Sequence, residues 1–353
     1  MSRTNTCLLS LLACVWVALV AGCPHFDRQA DSIAVAAPRA AEPGPIVLAV
    51  EDYPTPGNPK VYAAGVVAGS CQLYGLGPGM RGDFWEIDAV GISASPAVVV
   101  LFDADYTLLA RELVHHAGSL AYVVRRPTDQ IVMGVMPFAF DSHTSYRLTA
   151  IVVPGHPIPS PRRQVVYIDF GDGCGVPPSE PFDGATLGSR YAGETATLKW
   201  IITSRVRRAF EPYDVAVYDS ETGGPPERPY STLCYHSEPM PLLGRAPCVD
   251  VDNNDPNDLA LVYVDSFAIF GEAMDMSPEQ VGAALANTGI HEVGHLLGLW
   301  HTTETGSVMS NSHSMWDMIS DLSFARSRLA ATVFQTGWQD APRTLRDTVG
   351  SRP

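Results

Sequence analysis

The sequence predicts a multidomain chain: an N-terminal all-β sandwich followed by an α+β domain. Three observations lead there. Over residues 46–153, apolar runs of strand length are separated by Gly, Pro and Asp, and no long segment has helical period. A proline-rich stretch at 154–161 then interrupts the pattern. Beyond it, strand-length runs are joined by two long segments of helical period, the second of which carries paired histidines. A length of 353 residues fits two domains, and 46% hydrophobic content is ample for their cores.

The chain opens on a targeting segment. Arg3 supplies positive charge, and 7–21 is mostly apolar, ending in Val20-Ala21-Gly22-Cys23. That ending resembles a bacterial lipobox, so 1–22 reads as a lipoprotein signal peptide and Cys23 as the lipidation site. An ordinary signal peptide is the rival reading. A retained anchor is disfavoured, because the run falls short of the ~20 residues a span needs. Residues 23–45, rich in Ala and Pro, read as a flexible tether. The expected location is the bacterial cell surface or outer membrane, with membrane contact only through the N-terminal lipid. Net charge is −15, from 23 basic and 38 acidic residues, which excludes a nucleic-acid partner. A monomer is expected. Cys71, Cys174, Cys234 and Cys248 remain after export, an even number in an oxidising compartment. Four cysteines allow three connectivities. Cys234 with Cys248, flanking a short Pro-rich segment, is the first expected pair, and Cys71 with Cys174 would then staple the domains.

Within the sandwich, the strands include Ala97-Val98-Val99-Val100-Leu101-Phe102, Leu120-Ala121-Tyr122-Val123-Val124 and the closing Tyr146-Arg147-Leu148-Thr149-Ala150-Ile151-Val152. No catalytic constellation occurs there, and His115-His116 reads as a solvated pair. The second domain, 162–345, begins with strand 165–170. A helix over 194–210 puts Leu198, Ile201, Ile202, Val206 and Phe210 on one side, and strands follow at 214–218 and 259–264. Ser277 as N-cap, Pro278 at N1 and Gln280 at N3 then start a helix of about 30 Å. A last helix is expected over 322–334, with Leu329 and Val333 facing inward. The chain from Gln335 is polar and reads as disordered, with 346–353 as tail.

The histidine stretch reads His291-Glu292-Val293-Gly294-His295-Leu296-Leu297-Gly298-Leu299-Trp300-His301. On a helix, positions four apart share a face, so His291 and His295 can serve one cation. Gly298 reaches positive φ without a Cβ clash, which lets the chain leave the helix and bring His301 back. Three neutral imidazoles leave the fourth position of tetrahedral zinc open, the catalytic arrangement, and Glu292 is placed as general base.

This pattern, with Ser307-Val308-Met309-Ser310 placing Met309 eight residues after His301, resembles the metzincin zinc endopeptidases and lies closest to the matrixins. The resemblance implies an α+β catalytic domain with a twisted sheet, a zinc helix, a Met-turn placing Met309 beneath the zinc, and a C-terminal helix. It implies protein or peptide substrates. Cys174-Gly175-Val176-Pro177-Pro178 resembles the cysteine switch of matrixin proenzymes, but it follows the first strand of the domain, whereas a switch precedes it. A structural disulfide is therefore the reading. No tyrosine follows Tyr263, so the extra tyrosine near the metal in astacins and serralysins is missing.

Asp250, Asp252, Asn254 and Asp258 crowd one loop, as calcium ligands would. Asp255 stands where an EF-hand needs glycine and Leu261 where it needs glutamate, which leaves an irregular calcium site or a solvated turn. The reading is a surface zinc endopeptidase. The alternatives are an inactive adhesion lipoprotein retaining structural zinc and a zinc hydrolase of non-peptide bonds.

Overall fold

A computed structural model describes residues 53–352, apart from 68, 140, 172–179, 238–239 and 270–273. The signal segment, Cys23, the tether and Cys174 lie outside the described residues. The chain divides into two compact units, Pro161–Ala325 with Pro342–Pro353, and the described part of Ala37–Ser160 with Arg326–Ala341.

The second of these units is built on eight strands: β1 (Lys60–Val66), β2 (Gln72–Gly79), β3 (Phe84–Ala94), β4 (Ala97–Phe102), β5 (Leu108–Val114), β6 (Gly118–Val123), β7 (Thr128–Pro137) and β8 (Thr144–Val153). They form two antiparallel sheets, β1-β8-β3-β6 and β2-β7-β4-β5. Strand β8 alternates buried and exposed residues nearly throughout, the signature of one covered face. Trp85, Ile87, Val99, Leu101, Met133, Val135, Leu148 and Ala150, drawn from both sheets, share one core cluster.

Strand β4 is different, being buried at all six positions. Val99 and Leu101 enter the core cluster, so by strand alternation Val98, Val100 and Phe102 face the other way. That other face is covered by 326–341. Phe334 lies edge-on to Phe102 at 5.5 Å between centroids, and a Cβ on Gly134 would come within 2.6 Å of Phe334 Cζ. Arg111 Nε donates to Val333 O at 3.1 Å, and Trp338 N to Tyr106 O at 2.8 Å. The helix expected over 322–334 is therefore not there. The segment makes the short strand β14 (Arg326–Arg328) and one tight turn at 330–334, then returns as β15 (Trp338–Asp340) through Gly337 at φ +97°. Leu329 and Val333 have helical spacing, but the seat for Phe334 decides the backbone.

The first unit carries a five-stranded sheet in the order β10-β9-β11-β13-β12, from β9 (Gln164–Asp169), β10 (Val215–Asp219), β11 (Ser231–His236), β12 (Gly244–Arg245) and β13 (Leu259–Tyr263). All pairs are parallel except β12–β13. Strands β11 and β12 were not expected from the sequence, although β11 is central. Helix α1 (Thr195–Phe210) connects β9 to β10 and packs against α2 (Pro278–Leu296), where a Cβ on Gly282 would sit 2.8 Å from Ile201 Cγ2. A short turn, α3 (Met315–Met318), follows the site, and α4 (Ala341–Thr348) ends the chain. This helix runs into the expected tail as far as Thr348, and Leu345 and Val349 are buried.

The disulfide expectation fails in part. Cys234 is disulfide-bonded, whereas Cys71 and Cys248 carry thiols. Cys234 lies on β11 opposite Leu261 of β13, while Cys248 follows β12, on the far side of β13. A whole strand separates the two cysteines that are near in sequence. Among the described residues, no helix is long and apolar enough to cross a membrane.

Candidate functional site

Helix α2 begins as its sequence demands. Ser277 Oγ accepts from Gln280 N at 3.4 Å, and Gln280 Oε1 accepts from Ser277 N at 2.9 Å, closing a capping box. Two fixtures hold it further along. Tyr235, fully buried on β11, donates from its hydroxyl to Leu285 O at 3.2 Å. Asp250 N donates to His295 O at 2.9 Å. The helix stops where Gly298 takes φ +87°, with Gly298 N on His295 O at 3.0 Å and Leu299 N on Gly294 O at 2.9 Å.

This exit also orients a ligand. Leu299 O, delivered by the turn, accepts from His295 Nδ1 at 2.7 Å. Val308 O accepts from His291 Nδ1 at 2.8 Å. A carbonyl can only accept, so in both rings Nδ1 carries the proton and Nε2 presents a lone pair. The Nε2 atoms of His291, His295 and His301 stand 3.0, 3.1 and 3.2 Å apart. Converging lone pairs repel unless a cation lies among them. Tetrahedral zinc with bonds of about 2.0–2.1 Å separates its nitrogen ligands by about 3.3 Å. The residues fit zinc, and among the described residues this is the one group of three or more His, Cys, Asp or Glu side chains with ligand atoms gathered within 4.8 Å.

Burial keeps these rings neutral. It pushes His295 down to about 4, and His291 and His301 well below the usual histidine range, with neighbouring imidazoles adding to the shift in those two. Glu292 is 2% exposed. Burial pushes its carboxyl up to about 8, and a hydrogen bond from the Ala246 backbone opposes this.

The turn after His301 closes under the helix. Thr302 N donates to Met309 O at 2.8 Å, and Asn311 N to Thr302 O at 3.1 Å. Met309 is fully buried, and a Cβ on Gly294 would lie 2.5 Å from its Sδ. Gly294 was not singled out from the sequence. Its signal was available, because glycine between two ligands in a helix interior costs about 1 kcal/mol relative to alanine and needs a reason. The structure thus brings together His291, Glu292, His295, Gly298, His301 and Met309.

It does not gather the acidic loop in the same way. Asp250 Oδ1 accepts from Asn254 N at 2.9 Å and Oδ2 from Asp255 N at 2.8 Å, so this carboxylate caps its own loop. Asn253, at φ +50°, turns inward to donate from Nδ2 to Gln164 Oε1 at 2.8 Å. Asp250, Asp252 and Asp258 form no second cluster with metal-ligand spacing among the described residues. Within this loop Asp250 serves backbone capping.

Residues 200–326 match the matrixin family, peptidase family M10. No curated protein matches the chain. Among solved structures, the archaemetzincin of Methanopyrus kandleri is similar at 18% identity over 46% of this chain and 89% of that one, with a TM-score of 0.27. A protein of Bacillus endospore appendages is similar at 12% identity over 26% of this chain and 83% of that one, with a TM-score of 0.19. A family two carbohydrate esterase from Clostridium thermocellum is similar at 9% identity over 46% and 50%, with a TM-score of 0.19. The family match spans α2, the three histidines and the Met309 turn, so over residues 200–326 the chain is similar to the matrixins.

Proposed function

We propose that the chain is a zinc-dependent endopeptidase that hydrolyses proteins or peptides, with Glu292 as general base. The observation that carries this reading is the convergence of three Nε2 atoms within 3.2 Å, with the buried carboxyl of Glu292 on the residue next to His291. Zinc held by His291, His295 and His301 would supply a Lewis acid for the scissile carbonyl and acidify water. Glu292 takes the proton of the attacking water and returns it to the leaving amine. A carboxyl pushed up to about 8 holds a proton readily, and a cation nearby brings it back towards the carboxylate. The two influences poise the group for both halves of the transfer. Leu299 O and Val308 O fix the tautomers of His295 and His291, so neither of these rings has to reorient.

The same proposal places the enzyme outside the cytoplasm, tethered by lipid on Cys23, with 46–153 as an accessory β-sandwich. The Val20-Ala21-Gly22-Cys23 sequence supports the tether. Purified protein from Pro24 onward should cleave casein and a peptide library, lose that activity to a zinc chelator, and regain it with zinc. Zinc-loaded protein that cleaves no peptide would overturn the reading. Cys23→Ser should release the protein from membranes.

A further inference from the structure

Gly244 opens β12, the antiparallel edge of the sheet, where it pairs with Val262 of β13. It is buried, and its φ is not in the left-handed region, so its backbone does not require glycine. The space around it does. A Cβ at 244 would lie 2.7 Å from Glu292 Oε1, 2.9 Å from Glu292 Cγ and 2.8 Å from Thr288 Cγ2. Thr288 cannot swing aside without loss, because its Oγ1 donates to Ala284 O at 3.1 Å and fixes its rotamer. Two residues along the same edge, the buried Ala246 gives its backbone N–H to the Glu292 carboxylate. The carboxylate thus lies in a notch whose floor is a missing methyl and whose wall is one backbone donor.

We propose that the edge segment 244–246 positions Glu292, with Gly244 making room for its carboxylate and the Ala246 N–H fixing its direction. This rests on the peptidase reading above and adds a positioning residue to it. The three atoms nearest to a Cβ at 244 belong to Glu292 and Thr288, and none of them to the imidazoles that would hold zinc. A misplacement of about 1 Å in a catalytic group can cost on the order of 10²-fold.

The test is Gly244→Ala in the full chain, read four ways: zinc content, thermal midpoint, kcat against KM on a peptide substrate, and a crystal structure of the variant. The expected result is near-normal zinc, a folded protein, kcat lower by about 10- to 100-fold with KM changed far less, and the Glu292 carboxylate displaced from Ala246 N. Adding Thr288→Ser keeps the hydroxyl and removes the methyl that crowds position 244. This second change should restore part of the lost kcat. Wild-type kcat in Gly244→Ala, a loss of activity that follows zinc loss or unfolding, or a carboxylate that stays on Ala246 N would each overturn the proposal. Failure of the peptidase reading looks different: zinc-loaded wild-type protein would then cleave nothing, while the crystal structure of Gly244→Ala would still report on the notch.

Discussion

The metal-site stretch 291–309 and the segment 326–341 lie close in the chain and are held by opposite means. In the first, the contacts that matter are local. His291 is fixed by Val308 O, His295 by Leu299 O, and Met309 by the gap at Gly294, all within 19 residues of chain. In the second, Phe334 and Val333 are fixed by Phe102, Gly134 and Arg111, about 200 or more positions away. A stretch closed by its own neighbours carries its conformation with it. A stretch closed by a distant sheet takes its shape from that sheet. The second segment belongs to the β unit, although the chain on either side of it belongs to the other unit.

The largest stability effect should come from breaking the long-range partner. Phe334→Ala empties a fully buried site beside Phe102 and should cost about 3–5 kcal/mol. Calorimetry should show that loss in the β unit, with zinc content at the histidines retained. An unchanged midpoint would mean that the segment does not depend on the sheet. A smaller effect should follow from Gly294→Ala, where a methyl 2.5 Å from Met309 Sδ forces repacking at about 1–3 kcal/mol. Denaturant unfolding of the zinc-loaded protein measures it. In a Met309→Ala background the same Gly294→Ala change should cost less, because the atom that is struck is gone.

A pH-dependent effect tests the acidic loop at 250–258, which precedes both regions in the chain. Burial pushes Asp258 up to about 7 in the folded protein, above its value of about 3.9 in an unfolded chain. Between those values the folded state holds a proton that the unfolded state has released. Stability therefore falls as pH rises through that window and is level beyond it. Asp258→Asn should gain thermal stability over wild type at pH 8 and match it near pH 4. Wild-type stability that rises from pH 5 to pH 7 relative to the variant would contradict this.

The same contrast explains what could be read from residues alone. The ligands, the capping box at Ser277 and Gln280, and the exit at Gly298 are local patterns and stand in the sequence. The strands at 97–102 and 259–263 are apolar runs of the right length. The helix expected over 322–334 failed because Leu329 and Val333 have helical spacing whichever surface they meet. One signal was present. Ala97–Phe102 has no polar residue at any position, which asks for cover on both faces of β4, and only half of that cover comes from the core between the sheets. The disulfide partner of Cys234 depends on which strands are neighbours, and β13 stands between Cys234 and Cys248. The notch at Gly244 is likewise invisible without knowing that β12 lies against α2.

In the proposed mechanism three local imidazoles hold zinc while Glu292 does the proton transfer, and one paired measurement separates the two roles. Zinc content and peptide cleavage are measured on Glu292→Gln and His295→Ala. Glu292→Gln keeps size and hydrogen bonding but removes the base. It should retain zinc and lose about 10²–10⁴-fold in kcat. His295→Ala removes a ligand whose Nε2 stands 3.0 and 3.1 Å from the other two, and it should lose the metal itself. Near-normal turnover in Glu292→Gln, with zinc bound, would contradict the mechanism.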